Sequence, residues 1–220
     1  ARKTNYKKAI GLSELAMGTY DREMGYYSES IKHYNNALDI LGKSHALERA
    51  TTLAHLGTLY TYTHQYQKAI EYHKKSQAIY TRLNHLNGII DNEANIGNAY
   101  LENGYPEKSL KYFKDLEHIY HTRGEKVDDL NGHKCVNYIN LCTAYLRIGN
   151  YKKAKPYEDS AYVYCEIIYG IAEKQYLVTE LTRFFLKNEE YDMAQFYLIQ
   201  SEKLVELLLS DVKRMDNLYL

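Results

Sequence analysis

Proline is nearly absent. Two residues, Pro106 and Pro156, stand in a chain of 220, so little interrupts long helices. Tryptophan is missing altogether. No apolar run approaches the roughly 18 residues that would span a membrane. There is no excess of either charge: 28 Lys+Arg stand against 28 Asp+Glu. Split at residue 110, the halves carry 13 basic against 11 acidic and 15 against 17. Neither half is a basic patch, which argues against nucleic-acid binding by bulk electrostatics. Cysteine is scarce. Cys135, Cys142 and Cys165 include no C-x-x-C, so neither a disulfide framework nor a thiolate zinc site is indicated. Unpaired thiols lean towards a reducing compartment, the cytoplasm. The first residue is Ala rather than Met, which is compatible with a processed form that has lost a targeting segment. Phosphate-loop, nucleophile-elbow, metalloprotease and dinucleotide signatures are all missing. His118 and His121 lie three apart and read as a solvated pair near a helix C-terminus. Cys135 and Cys142 read as small buried packing residues, and Glu189 and Glu190 as solvated acids in a turn. The expectation is a non-enzyme with no cofactor and no metal.

What is abundant is tyrosine, 25 residues, within a 45% hydrophobic composition that can bury a core. Its placement is repetitive. Leu56-Gly57-x-x-Tyr60 precedes Tyr66 and Ala69, and Ile96-Gly97-x-x-Tyr100 precedes Gly104 and Ser109. Leu141-Cys142-x-x-Tyr145 precedes Gly149, Tyr151 and Ala154, and Leu181-Thr182-x-x-Phe185 precedes Tyr191 and Ala194. A looser first copy runs from Met17-Gly18 through Gly25, Tyr27, Ser30, Tyr34 and Ala37, with Asp21 where the aromatic should be. The small residues Gly18, Gly57, Gly97, Cys142 and Thr182 are 39, 40, 45 and 40 apart. Within a copy, the small residue lets a second helix approach. The aromatic three places later shares its face. A glycine four places after that supplies a left-handed helix end. Each copy is an antiparallel helix pair that buries its apolar face only by stacking on its neighbours.

These residues resemble the tetratricopeptide repeat family in its variety of about forty residues, over roughly 8 to 208. The resemblance implies an all-α superhelical solenoid of about five units, near 8–45, 46–85, 86–125, 128–170 and 172–210, with a helical extension over 205–220. It implies one domain over 1–220 and assigns the tyrosines to packing. Helices are expected at 5–24, 27–43, 46–63, 66–83, 87–103, 106–122, 128–148, 151–169, 172–187 and 191–210. Pro106 suits a first turn. Pro156 falls in a second turn, where a kink or a later helix start is expected.

In the family, the concave side is lined by the first helix of each pair and binds peptides or protein segments. Carried over, its positions are His55, Thr58, Thr61 and Tyr62, then Asn95, Asn98, Leu101 and Glu102. In the last two copies they are Asn140, Thr143, Leu146 and Arg147, then Glu180, Arg183, Leu186 and Lys187. Asn95, Asn98 and Asn140 have the donor and acceptor to pair with an extended backbone. Arg147, Arg183 and Lys187 suit a carboxylate. The family's carboxylate clamp for chaperone tails wants lysine where Ala54 and Ala94 stand, which marks that function down.

Val205, Leu208, Val212, Met215 and Tyr219 step by three and four, an a/d seam over about two heptads. It either caps the last unit or forms a homodimer. The expected partner is therefore a protein or peptide, with no nucleic acid and no membrane span. Three readings stay open: an interaction module of a bacterial regulatory or signalling protein, the peptide-binding half of a Rap-like receptor, and a scaffold for a folded partner.

Overall fold

A computed structural model describes the backbone of residues 2–216 and the side chains of residues 6–210. Among these residues there are ten α-helices and no strand. They are α1 (Arg2–Glu23), α2 (Tyr27–Leu41), α3 (Ala46–Tyr62), α4 (Tyr66–Arg82), α5 (Leu86–Glu102), α6 (Pro106–Arg123), α7 (Leu130–Arg147), α8 (Tyr151–Ile167), α9 (Ile171–Lys187) and α10 (Tyr191–Asp216). A single 3-10 turn, Gly124–Lys126, occupies the longer connection before α7. Apart from the end of α10, every bound lies within three residues of the sequence expectation. Pro156 does not delay α8, which starts at Tyr151 with the Asn150 side chain accepting from Lys153 N at 3.1 Å. That cap fixes the first turn upstream of the proline, whose ring then removes one interior hydrogen bond without ending the helix.

The chain divides into two compact units, one through Tyr112 and one from Phe113. In the first unit α1 packs on α2, α3 on α4, and α4 on α5. Leu15, Tyr34, Ala37, Leu41, Leu56 and Leu59 form one buried cluster there. Each leucine so buried contributes about 1.5–3 kcal/mol. In the second unit α7 packs on α8, α9 on α10, and α7 also touches α9.

The repeat grammar is physical. In four copies the aromatic three places after the small residue stacks on a tyrosine twelve places further on. The pairs are Tyr60–Tyr72 (5.3 Å), Tyr100–Tyr112 (5.5 Å), Tyr145–Tyr157 (5.7 Å) and Phe185–Tyr197 (5.5 Å between centroids). Offset-stacked rings at this separation favour the crossing beyond their buried area. Lys68 and Lys108, at equivalent places, lie over Tyr60 and Tyr100 at 5.2 and 5.7 Å. In the first copy the stack is replaced by a polar contact, with Asp21 Oδ2 3.5 Å from His33 Nε2. The aberrant Asp21 is thus one half of a substituted pair.

The turn inside each pair also repeats. Gly25, His64, Gly104, Gly149 and Glu189 all have positive φ, between 56° and 82°. Each donates its N–H to the carbonyl three residues back. The next N–H reaches five residues back, as in Gln65 to Tyr60 at 2.8 Å and Asn150 to Tyr145 at 2.9 Å. This is the Schellman ending, for which glycine carries the least steric cost.

Candidate binding site

The site residues expected from the sequence fall in both units. In the first, α3 carries His55, Thr58, Thr61 and Tyr62. Arg22 Nη1 donates to His55 Nδ1 at 3.3 Å, and the same guanidinium lies 5.9 Å from the centre of the exposed Tyr62 ring. Burial, with Arg22 adding to it, lowers the His55 pKa, so the ring is neutral near pH 7. Thr58 and Thr61 bond back to Ala54 and Gly57 carbonyls at 3.2 Å each. Asn95 and Asn98 are half-buried on α5, while Leu101 is in the core.

In the second unit the expectation of solvent-facing polar groups meets two exceptions on α7. Asn140 is 7% exposed and Thr143 is 0% exposed. Asn140 Nδ2 and Thr143 Oγ1 have no hydrogen-bond partner among the described residues. Spacing places both on the face that the family leaves open, but the packing here closes over it.

The basic residues fare differently. Arg147 and Lys187 are the last residues of α7 and α9. With Arg183, Glu180, Leu146 and Phe184 they line one pocket of about 330 Å³. Helix C-termini favour cations, which stabilises this clustering. Glu180, 6% exposed, sits among them. Its Oε2 is 3.7 Å from Arg147 Nε, and its other oxygen accepts a charge-assisted bond from Arg183 Nη1. The lining thus holds three cations and one carboxylate, with Leu146 and Phe184 in its walls. The sequence named all three cations but did not show that Glu180 anchors two of them. Lys187 is exposed, and so is Leu186, which does not line the pocket.

A second basic pocket, of about 410 Å³, lies in the first unit. It is lined by Lys43, Arg49 and Arg82 with Ala46, Ile79 and Leu83. Sequence reasoning missed it because its residues sit at helix ends outside the concave register. The signal available was the recurrence of basic residues at those ends. His118 and His121 are exposed on α6, and among the described residues no group of three or more His, Cys, Asp or Glu lies close enough to hold a metal. No described helix is long and apolar enough to cross a membrane. On α10, Val205 is exposed and Leu208 half-buried. The side chains of Val212 and Met215, and Tyr219 altogether, lie outside the described residues.

Residues 6–82 match the family model described as Tetratricopeptide repeat. No curated protein matches the chain in sequence. Among solved structures, aspartyl phosphate phosphatase F from Bacillus subtilis superposes with a TM-score of 0.73 at 11% identity, over 90% of this chain and 60% of that one. A Rap protein complexed with competence and sporulation factor gives 0.70 at 20% identity, over 88% of this chain and 53% of that one. The nearly identical repeats of a putative kinesin light chain from Podosopora anserina give 0.67 at 16% identity, over 90% and 95%. This chain thus spans about three fifths of the phosphatase and about half of the Rap protein. At such identities the likeness is one of fold. The family model matches the first two helix pairs, and the same stacked rings and left-handed turns recur through the later ones, so the whole chain shares the fold of tetratricopeptide repeats.

Proposed function

We propose that this chain is a non-catalytic module that binds a protein or peptide segment, and that the pocket at the ends of α7 and α9 receives an acidic residue of that segment. The observation that carries the reading is the pocket's composition. Arg147, Arg183 and Lys187 line it together with one carboxylate, Glu180, which Arg147 and Arg183 hold, and Phe184 and Leu146 offer apolar wall. Such a site prefers a carboxylate beside an aliphatic or aromatic side chain, bound through charge-assisted bonds and a desolvated contact. A structural neighbour held together with competence and sporulation factor supports the same reading. A regulatory or signalling role is the biological setting proposed here, with the peptide-binding half of a Rap-like receptor as its specific form.

Lys187→Ala is the cleanest test, because Arg147 and Arg183 also neutralise the buried Glu180. Affinity for an acidic, aromatic-bearing peptide, measured by calorimetry, should fall about tenfold, or about 1.4 kcal/mol. The thermal midpoint should stay in place. Equal binding of the acidic peptide and its lysine-substituted counterpart would overturn the proposal. The second reading, assembly through α10, is favoured by the exposed Leu198, Val205 and Leu209. A monomer at high concentration in sedimentation would remove it.

A further inference from the structure

Cys135 on α7 and Cys165 on α8 are thirty residues apart in sequence, yet their Sγ atoms are 2.9 Å apart. Both are buried thiols of the second unit. Packing alone does not call for two thiols here. Counted from the small residue, the equivalent places in the second copy hold Ala50 and Tyr80, which share one ordinary apolar cluster. The packing of α7 on α8 brings the two sulfurs together, and a disulfide needs only about 0.9 Å of further approach. We propose that Cys135 and Cys165 form a reversible intrachain disulfide, made by a hydroperoxide and undone by a dithiol, which locks α7 to α8.

The chemistry balances on these two side chains. Cys165, as thiolate, attacks one oxygen of the peroxide. The O–O bond breaks, hydroxide leaves and takes up a proton as water, and Cys165 becomes the sulfenic acid. The sulfur of Cys135 then attacks Cys165 Sγ, the S–O bond breaks, and the departing hydroxide takes the Cys135 proton as a second water. Two thiols have lost two protons and two electrons, and the peroxide has become two waters. The roles follow the surroundings. With Cys135 as the donor, the contact between the two sulfurs favours the Cys165 thiolate, Lys174 acts in the same sense, and burial, Glu173 and Glu166 oppose. The same contact, with burial, holds Cys135 protonated. Cys165 also lies two residues from the end of α8, where local opening is least costly and a small oxidant gains entry. Cys142 provides an internal control, since burial holds its thiol protonated and Cys165 is the neighbour of Cys135, not of Cys142.

The test is to treat the native chain with hydrogen peroxide, alkylate it under denaturing conditions and read intact and peptide masses. The expected result is a monomer lighter by two hydrogens, a crosslink joining the peptides that carry Cys135 and Cys165, and a single alkylation, at Cys142. Dithiothreitol should restore three alkylations. The thermal midpoint of the oxidised chain should rise by several degrees, because the bond closes a thirty-residue loop in the unfolded state. In Cys135→Ser the rise should vanish, leaving Cys165 singly oxidised. Any of three results would overturn the proposal: oxygen addition at Cys165 without a crosslink in the unaltered chain, a bond that includes Cys142, or a crosslink that forms only after denaturation. All of these are read on the unaltered protein, so a variant that folds poorly does not blunt the test.

Discussion

One slot of the repeat is filled in opposite ways by the two units. Sixteen residues after the small residue, the second copy places His73 and the fourth places Glu158. In the first unit His73 is buried and neutral. Its Nδ1–H donates to Asn92 Oδ1 at 3.1 Å, Asn92 Nδ2 donates to Ser76 Oγ and to the Gly88 carbonyl, and Ser76 donates to the Ala50 carbonyl at 2.7 Å. In the second unit Glu158 is just as deeply buried and is surrounded by donors. Tyr197 donates at 2.8 Å, Tyr151 at 3.1 Å and Lys155 at 3.1 Å. Lys155, held also by Asp159, has its pKa raised by these carboxylates against the effect of burial. The comparison teaches that the repeat specifies a location and a volume rather than a chemistry. Each occupant is tolerated because its own copy and the next one supply partners, a carboxamide network through Asn92 for a neutral ring and hydroxyls, Tyr197 among them, with an ammonium for a carboxylate.

The largest effect that sharpens this contrast is pH dependence. Burial drives the His73 pKa from its ordinary 6.5 to about 4, with the Asn92 bond pulling weakly the other way. The folded protein therefore refuses a proton that the unfolded chain accepts. Stability from this residue is complete above pH 6.5, declines as pH falls from 6.5 to about 4, and levels off below that. The span corresponds to about 3 kcal/mol, at about 1.4 kcal/mol per pH unit. His55 titrates in the same direction, so the His73 part is the difference between the parent and His73→Phe, the residue type that stands at this place in the third copy as Phe113. Urea unfolding between pH 7.5 and 4 should show a shallower loss in the variant. Parallel curves would mean that the ring is not held neutral.

The opposing side of the slot separates the units next. A Cβ on Gly57 would lie 2.6 Å from the His73 ring, whereas Cys142 already carries a Cβ and a sulfur at the equivalent place. Gly57→Ala should accordingly destabilise by about 1–3 kcal/mol through overpacking. Cys142→Ala should cost only about 1 kcal/mol, the removal of one buried atom. Equal costs, measured by chemical denaturation, would show that His73 can retreat and that the close approach is not what selects glycine there.

Much of this architecture was legible in the sequence because helix pairs are local. Periodicity, the small residue and the left-handed turn all act within about twenty residues, so the helix bounds and the structural role of the tyrosines could be read directly. What escaped depends on partners from another helix. Spacing put Asn140 and Thr143 on the right face but could not say what covers them. Arg147, Arg183 and Lys187 were visible as cations, while their gathering around Glu180 required α9 to dock on α7. The same holds for Cys135, which the fold brings against Cys165 on the next helix. Asp21 read as a defect in the pattern until His33 was seen beside it.

The smallest effect lies at the turns, where each unit again holds both solutions. Gly25 and Gly104 in the first unit and Gly149 in the second adopt the left-handed conformation freely, whereas His64 and Glu189 adopt it with a Cβ. His64 has a compensating partner, its Nδ1 lying 2.8 Å from the Tyr66 hydroxyl. Glu189 is an exposed turn residue with φ of 61°. Glu189→Gly removes the steric cost of the left-handed state, about 1–2 kcal/mol, and gives back part of it as backbone entropy of the unfolded chain. The net expectation is a gain of up to about 1 kcal/mol. Gly149→Glu, the reciprocal change, should lose a similar amount. If both substitutions shifted the unfolding midpoint in the same direction, the turn would be governed by side-chain contacts rather than by backbone conformation. Opposite shifts of similar size would establish that the two turns are the same device built from different residues.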